Sequence, residues 1–466
     1  MSHSHNIQDD RIQQLNDFEI RFDADYVLYW MQQSQRAEYN HALEYAVHQA
    51  NDLGLGVVAA FGLTDDYPEA NLRHFTFMLE GLTETKALLE KRGIQMVVRR
   101  GMPPDVALEM GKNAAMIVCD CGYLKHQRLW RGQVARKAVC RVVQVESDVI
   151  VPVKTVSLKA EYAARTIRPK IQKHLADYLL EPKPVKVRHS TLNLSLDGLD
   201  LKQPEYILAS LNIDRRVGAV TRFFKGGTSR AKNIFGNFIR SRLKNYEKNH
   251  NQPQTDDISH MSMYLHFGQI SPLYLALRIN KANYPIDSAK AAFLEELIVR
   301  RELAANFVFY HQDYDTFDCL PEWAQKTLAD HRKDRRPYIY TRRQLENAET
   351  HDPYWNAAMK EMEYTGFMHN TMRMYWGKKI LEWSSSPESA FRNTLAMNNK
   401  YFLDGRDPNS YAGVAWIYGM HDRAWPQRPV YGKVRCMTAS GLERKCDIRG
   451  YVSKVEGYVK KHEEAF

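Results

Sequence analysis

The sequence predicts an α/β + all-α protein. An N-terminal doubly wound parallel-sheet domain spans 22–150, a linker spans 151–205, and a mainly helical domain spans 206–466. Three observations carry this prediction. Apolar runs alternate with amphipathic stretches through the first 150 residues, five prolines then interrupt the pattern, and helical spacing dominates from residue 206 onward.

The run Tyr26–Trp30 (YVLYW) is apolar throughout, as a strand covered on both faces must be. Helical spacing follows over 38–52, then a second buried strand within GLGVVAAFGL (54–63). Over 73–92, Phe75, Met78, Leu79, Leu82, Leu88 and Leu89 fall near one stripe of a helix, and Gly93 ends it. IQMVVRR (94–100), AMIVCDC (115–121) and RVVQVES (141–147) read as further strands, with helices at 103–112 and 125–138 between them. Right-handed crossovers turn such an alternation into an open, Rossmann-like sheet. The domain holds neither G-x-G-x-x-G nor G-x-x-x-x-G-K-[ST], so dinucleotide and P-loop chemistry are not announced. Pro152, Pro169, Pro182, Pro184 and Pro204 mark the linker, read as a structureless stretch wrapping the surface. Helices are then expected at 228–248, 271–281, 287–311, 341–348, 354–363, 369–384 and 386–397, with DGRDPNSYAG (404–413) as a tight turn.

Composition bounds the function. With 466 residues, 44% hydrophobic and 26% charged, the chain is globular rather than disordered. Lys and Arg number 65 against 55 Asp and Glu, a surplus that fits a polyanionic partner. The last 44 residues hold ten basic and five acidic side chains. Six cysteines (Cys119, Cys121, Cys140, Cys319, Cys436 and Cys446) show no C-x-x-C and no zinc spacing, so we expect a reducing compartment and no metal. The polar N-terminus lacks an apolar segment and reads as a frayed end, His3 and His5 included. With no run of 18 apolar residues, no membrane span is expected. The expected location is the cytoplasm, or the nucleus in a eukaryote.

Several residues stand out in the helical domain. Trp376 and Trp383 are seven apart and share a helix face, with Trp355 and Tyr340 upstream. Such indoles are core aromatics by default, and alternatively a relay for electrons between a buried redox centre and the surface. Arg373 and Asp404 suit a planar fork, either a structural ion pair or a clamp on a flat heterocycle. Glu296 and Arg300 are four apart, the spacing of a helical salt bridge. Ser259 and Ser262 are candidate helix caps or phosphate donors. Residues 230–250 interleave Arg and Lys with Phe235, Phe238 and Tyr246, and 428–437 and 442–450 do likewise, a pattern for stacking on unpaired bases.

In order, the chain contains YLHFGQIS (264–271), EELIVRREL (295–303), THDPYWNA (350–357), MHNTMRMYWGKKILEW (368–383), LDGRDPN (403–409), GMHDRAW (419–425) and GKVRCM (432–437). Together these motifs resemble the class II cyclobutane pyrimidine dimer photolyases, from about Asp23 to about Ile448. The resemblance implies light-driven repair of UV-damaged DNA with FAD, active as the fully reduced anion, deep in the helical domain. It implies that Tyr246, Ser259 and Ser262 lie by the FAD phosphates or ribityl chain, that Arg373 and Asp404 pair beside the ring, and that Asn398 faces its N5. Glu296, Met374 and Trp416 would line the pocket of the flipped dimer. His250, Arg300 and Arg435 would contact DNA, Arg435 entering the hole the dimer leaves. Trp376 and Trp355 would carry electrons to the surface, with Trp383 and Tyr340 beside them. The resemblance also allows a second, antenna chromophore of unspecified identity, and the chain is expected to act as a monomer.

His250, Met263, Arg300 and Ser410 depart from the family pattern, and all four are expected at the rim of the lesion pocket, away from Asn398 and the ion pair. Rival readings are a signalling flavoprotein of the same superfamily, repair of the (6-4) photoproduct with His250 as proton donor, and a nucleotide-hydrolysing RNA-modifying enzyme. The last needs an S-G-G-x-D-S type loop after the first strand, where the chain has MQQSQRAEYN.

Overall fold

A computed structural model describes residues 7–283 and 287–464; His3 and His5 lie outside them. The N-terminal part is a six-stranded sheet: β1 (Ile12–Gln14), β2 (Tyr26–Trp30), β3 (Gly56–Leu63), β4 (Gln95–Arg100), β5 (Ala114–Asp120) and β6 (Arg141–Val145). Its strand order is β1-β6-β5-β2-β3-β4, parallel except for β1, which runs antiparallel to β6. Trp30 of β2 stands opposite Ala60 on one side and Cys119 on the other. Alternate side chains feed two cores. Val27 and Tyr29 join α1 (His41–Asp52) and α2 (Leu72–Lys91), while Tyr26, Leu28 and Trp30 join α3 (Pro103–Gly111) and α4 (Lys125–Lys137). β1 has the polar sequence IQQ and no apolar run, so its place at the sheet edge is not readable from periodicity.

The order reverses between β2 and β5, the crevice where such sheets bind ligands. Here the turn after β2 is closed from within. The N–H groups of Gln32, Gln33 and Ser34 donate to Oδ2 of Asp120 at 3.0, 2.8 and 2.8 Å. A carboxylate at the end of β5 thus takes up the N–H groups that a bound anion would otherwise meet at such a turn.

The stretch 151–205 is not a structureless linker. It holds helices Val153–Val156 and Ala164–Tyr178, the latter with Pro169 in its second turn. It then returns along β4, where Leu199 N–H donates to Val98 C=O at 2.7 Å. Leu201, Ile207 and Leu211 complete the α/β core. The prolines misled the reading because Pro204 sits at a helix start, where its missing N–H costs nothing.

Two of the expected helices of the C-terminal part are interrupted by π-helical turns. One, Phe238–Arg242, falls within 228–248; the other, Glu295–Arg300, falls between helices Asp287–Leu294 and Arg301–Tyr310. Helices Pro353–Thr365, Asn370–Trp383 and Pro387–Tyr401 match expectation to within a few residues. The segment 404–413 is a turn only at its start. Asp407 caps Asn409 N–H at 2.8 Å and Pro408 opens a helix to Ile417. Helices Glu322–Asp330, Ala439–Lys445 and Ile448–Glu463 were not anticipated.

Buried arginines join the two parts. Arg36 donates to Asp148 at 2.7 Å and to Gly268 C=O at 3.0 Å. Arg73 donates to Met362 and Tyr401 carbonyls at 3.1 and 2.6 Å. Among the described residues, no helix is long and apolar enough to cross a membrane, and no three metal-ligating side chains cluster.

Candidate active site and electron route

Arg373 lies in the first turn of helix Asn370–Trp383, whose start is capped by His369. The turn after helix Pro387–Tyr401 brings Asp404 to it. Nη2 of Arg373 donates to both carboxylate oxygens at 2.8 and 2.9 Å, and Nε donates to Met368 C=O at 3.1 Å. The guanidinium is also 3.8 Å from the centroid of Phe402, so its plane is fixed and Nη1 remains unbonded among the described residues. Gly405 permits this turn, because a Cβ there would come within 2.9 Å of the Asn398 carbonyl. Asn398 is buried. Its Nδ2 donates to Ser410 Oγ at 2.6 Å and to Asn399 Oδ1 at 2.9 Å. That leaves Oδ1 as the unused end of the amide.

A second group of candidate residues gathers at the π turn Glu295–Arg300. Five-residue spacing sets Arg300 on Glu295 at 3.3 Å instead of on Glu296, so the expected four-apart salt bridge does not form. Glu295 is held in turn by Arg168 at 2.7 and 3.0 Å. Released from that pairing, Glu296 is exposed, close to the charges of Arg300 and His250. Desolvation raises its carboxyl pKa against the opposing charges of Arg300 and His250. Arg300 lies 5.3 Å from the ring centroid of Trp416, a cation–π contact. The Tyr246 ring stacks on His250 at 5.1 Å, and burial raises the Tyr246 pKa, with Glu296 adding to it. Ser259 is in a loop and Ser262 is the first residue of a short helix; neither caps a helix or bonds another residue of this set. Met374 is half-buried against the core. Arg435 sits apart, 5.2 Å from the Trp425 ring that Arg423 also covers.

Behind the ion pair, Trp355, Trp376 and Trp383 are fully buried. Trp355 Nε1–H donates to the Trp376 carbonyl at 2.9 Å, and its ring lies 5.7 Å from Trp383. Trp383 lies 5.4 Å from Tyr340, whose hydroxyl is 2.7 Å from His351 Nδ1. A concavity opens at the strand ends, between the sheet and the helical part. Gln33, Phe61, Tyr67, Trp130 and His266 line it, with the buried Arg406, whose Nε has no partner.

Residues 27–188 match the family model described as DNA photolyase. The chain is 49% identical over 452 residues to the deoxyribodipyrimidine photo-lyase of Methanothermobacter thermautotrophicus, covering 97% of this chain and 99% of that protein. The chain belongs to the DNA photolyase family. The deoxyribodipyrimidine photo-lyase of Potorous tridactylus is 39% identical, covering 92% of this chain and 81% of that one. The bacterial class III photolyase of Agrobacterium tumefaciens shares the fold, with a TM-score of 0.70 at 17% identity over 93% of this chain and 86% of that one.

Within this photolyase, the four departures do not share one rim. Arg300 stacks on Trp416 and His250 on Tyr246, near Glu296. Met263 is wholly buried core. Ser410 holds the Asn398 amide, so that substitution does reach the central set. Sequence reasoning missed Lys378, Tyr338 and His351. Lys378 is buried in the middle of MRMYWGKKILEW, and its ammonium donates to the Ile417 carbonyl at the end of the Trp416 helix. No spacing rule announces that contact, since the partners are 39 residues apart.

Proposed function

We propose that this chain repairs cyclobutane pyrimidine dimers in DNA by light-driven electron transfer, as a class II enzyme acting as a monomer in the cytoplasm or nucleus. The domain limits of the sequence reading become an α/β antenna part, a connecting stretch and a helical catalytic part. The observation that carries the reading is the locked Arg373–Asp404 fork with buried tryptophans behind it. The names of the relatives support it.

Unused polar atoms around the fork suit a flavin. Among the described residues, Arg373 Nη1 and Asn398 Oδ1 make no side-chain hydrogen bond, and the buried Trp376 Nε1 and His369 Nε2 have no partner. Burial holds His369 neutral, its pKa lowered to about 3, so it offers a dipole rather than a charge. Bound and fully reduced, FAD supplies the light-absorbing one-electron donor, with no net redox change over the cycle. Arg373 and Asp404 clamp one side of the ring, and Asn398 presents its amide oxygen to N5. Tyr246, Ser259 and Ser262 hold the phosphates and ribityl chain.

Trp416 and Met374 give the flipped dimer an apolar face, and Glu296 hydrogen-bonds a thymine edge. Desolvation raises its pKa, and once protonated its carboxyl would donate where negative charge develops. His250, Arg300 and Arg435 hold the distorted backbone and the hole left in the duplex; flipping costs a few kcal/mol, less at a damaged site. Trp376, Trp355, Trp383 and Tyr340 bring electrons in from the surface. The cleft at the strand ends takes the antenna chromophore.

The test binds the photoreduced protein to an oligonucleotide with one thymine dimer and follows thymine absorbance under blue light, with a dark control. Recovery only in light is expected. No recovery with DNA bound and FAD reduced overturns the reading.

A further inference from the structure

The buried tryptophans end at a cluster that an electron wire alone does not require. Tyr340 Oη accepts the backbone N–H of His351 at 3.0 Å and lies 2.7 Å from His351 Nδ1. In the Nε2–H tautomer of His351, the phenolic proton of Tyr340 is donated to Nδ1 while its oxygen accepts the amide. The other face of that imidazole is stacked on Tyr338, centroids 3.7 Å apart and planes 20° apart. His351 is exposed, and Tyr338 is 46% exposed. The Tyr340 and His351 rings both touch Trp383, at 5.4 and 5.2 Å. The Lys379 ammonium lies 5.6 Å from the same indole, paired to Glu382 at 2.7 Å.

A phenol is hard to oxidise while it keeps its proton, because its radical cation is a strong acid. Losing electron and proton together avoids that state, and it requires a base already in hydrogen-bond contact. We propose that His351 is the proton acceptor that makes Tyr340 the terminal electron donor of the route, with Tyr338 stacked behind it to hold the imidazole and stabilise its cation. The inference rests on the electron route given above. The step balances as follows. A Trp383 radical cation, left when an electron has passed inward through Trp355 and Trp376 to photoexcited flavin, takes one electron from Tyr340. The Tyr340 O–H bond breaks and an Nδ1–H bond forms on His351. The products are neutral Trp383, a neutral Tyr340 radical and an imidazolium. A thiol in solution later returns the electron, and the imidazolium returns the proton. The positive charge thus ends on a solvent-exposed ring rather than on a buried indole, where return to the flavin is fast.

The experiment is flash excitation of the flavin-loaded protein with transient absorption of tryptophan and tyrosine radicals, in H2O and D2O, on wild type, Tyr340→Phe, His351→Phe and His351→Gln. Because His351 is exposed, its substitution leaves the core intact. The wild type is expected to pass the hole from tryptophan to tyrosine with a deuterium isotope effect. In His351→Phe the tryptophan radical persists at least about tenfold longer and the tyrosine signal is lost. Gln restores a hydrogen-bond acceptor but not a base, so it is expected to behave as Phe does. Handover that survives in either His351 variant, or a wild type that forms the tryptophan radical but no tyrosine radical, overturns the proposal and leaves the route standing. Absence of any tryptophan radical in the wild type overturns the route itself.

Discussion

Lys378 offers a quantitative test of how the site is held. Its side chain is completely buried, its ammonium donates to the last turn of the helix that carries Trp416, and burial lowers its pKa from 10.5 to about 7. Asp422 opposes that shift, and Arg435 adds to it. The unfolded lysine keeps its proton up to about pH 10.5, whereas the folded one releases it near 7. Between these values the unfolded state binds more protons, so this group makes stability rise with pH. The full difference is about 5 kcal/mol, and the slope is about 1.4 kcal/mol per pH unit through the middle of the window. The perturbation is Lys378→Met, which removes the titration and also leaves the Ile417 carbonyl without its donor. Urea unfolding of both proteins from about pH 7.5 to 9.5 isolates the lysine, because all other groups are shared. Wild-type minus variant stability is expected to climb by roughly 2 to 3 kcal/mol over that range. Parallel curves would refute the reasoning, for they would mean that the folded lysine keeps an ordinary pKa.

Three further outcomes are expected. Burial raises Glu302 to about 8, while its Oε1 accepts Ile150 N–H at 2.5 Å; the folded state then binds more protons between pH 4.5 and 8, so this group lowers stability as pH rises, and Glu302→Gln should flatten that part of the denaturation profile. Asp404→Asn leaves the Arg373 guanidinium without its counter-charge, and flavin affinity by fluorescence titration should fall about tenfold to a hundredfold. Gly268→Ala should destabilise the junction of the two parts, seen as a lower melting temperature, because its Cβ would meet Gln33 C=O at 2.0 Å and its φ is +64°.

The sheet was legible because a parallel strand covered on both faces must be apolar throughout. β2 was placed to the residue, and β3 to β6 to within two. The polar β1 gave no such signal. Helices opening on proline were misread as turns or linker, Pro408 most consequentially, since its helix carries Ser410 and Trp416. At the site, Arg373 and Asp404 lie 31 residues apart and were paired on residue type, as a fork suited to a planar partner, since no spacing rule joins them. The Tyr340–His351 pair spans 11 residues and is made by a loop folding against Trp383, so the motif THDPYWNA contains the histidine without showing its partner. The π turn was invisible for a different reason: nothing in EELIVR distinguishes it from an α-helix.

That turn acts as an index. Its wider winding decides which of two adjacent glutamates meets Arg300 and which stays exposed beside it. Each residue of an α-helix turns the next side chain by about 100°. Removing one residue from Glu295–Arg300 would therefore restore regular winding and keep both flanking helices in phase, while changing which glutamate meets Arg300. The helix would survive such a deletion better than the pocket would. Point substitutions sample what each side chain contributes, but only a change in length reads the bearing on which they are set.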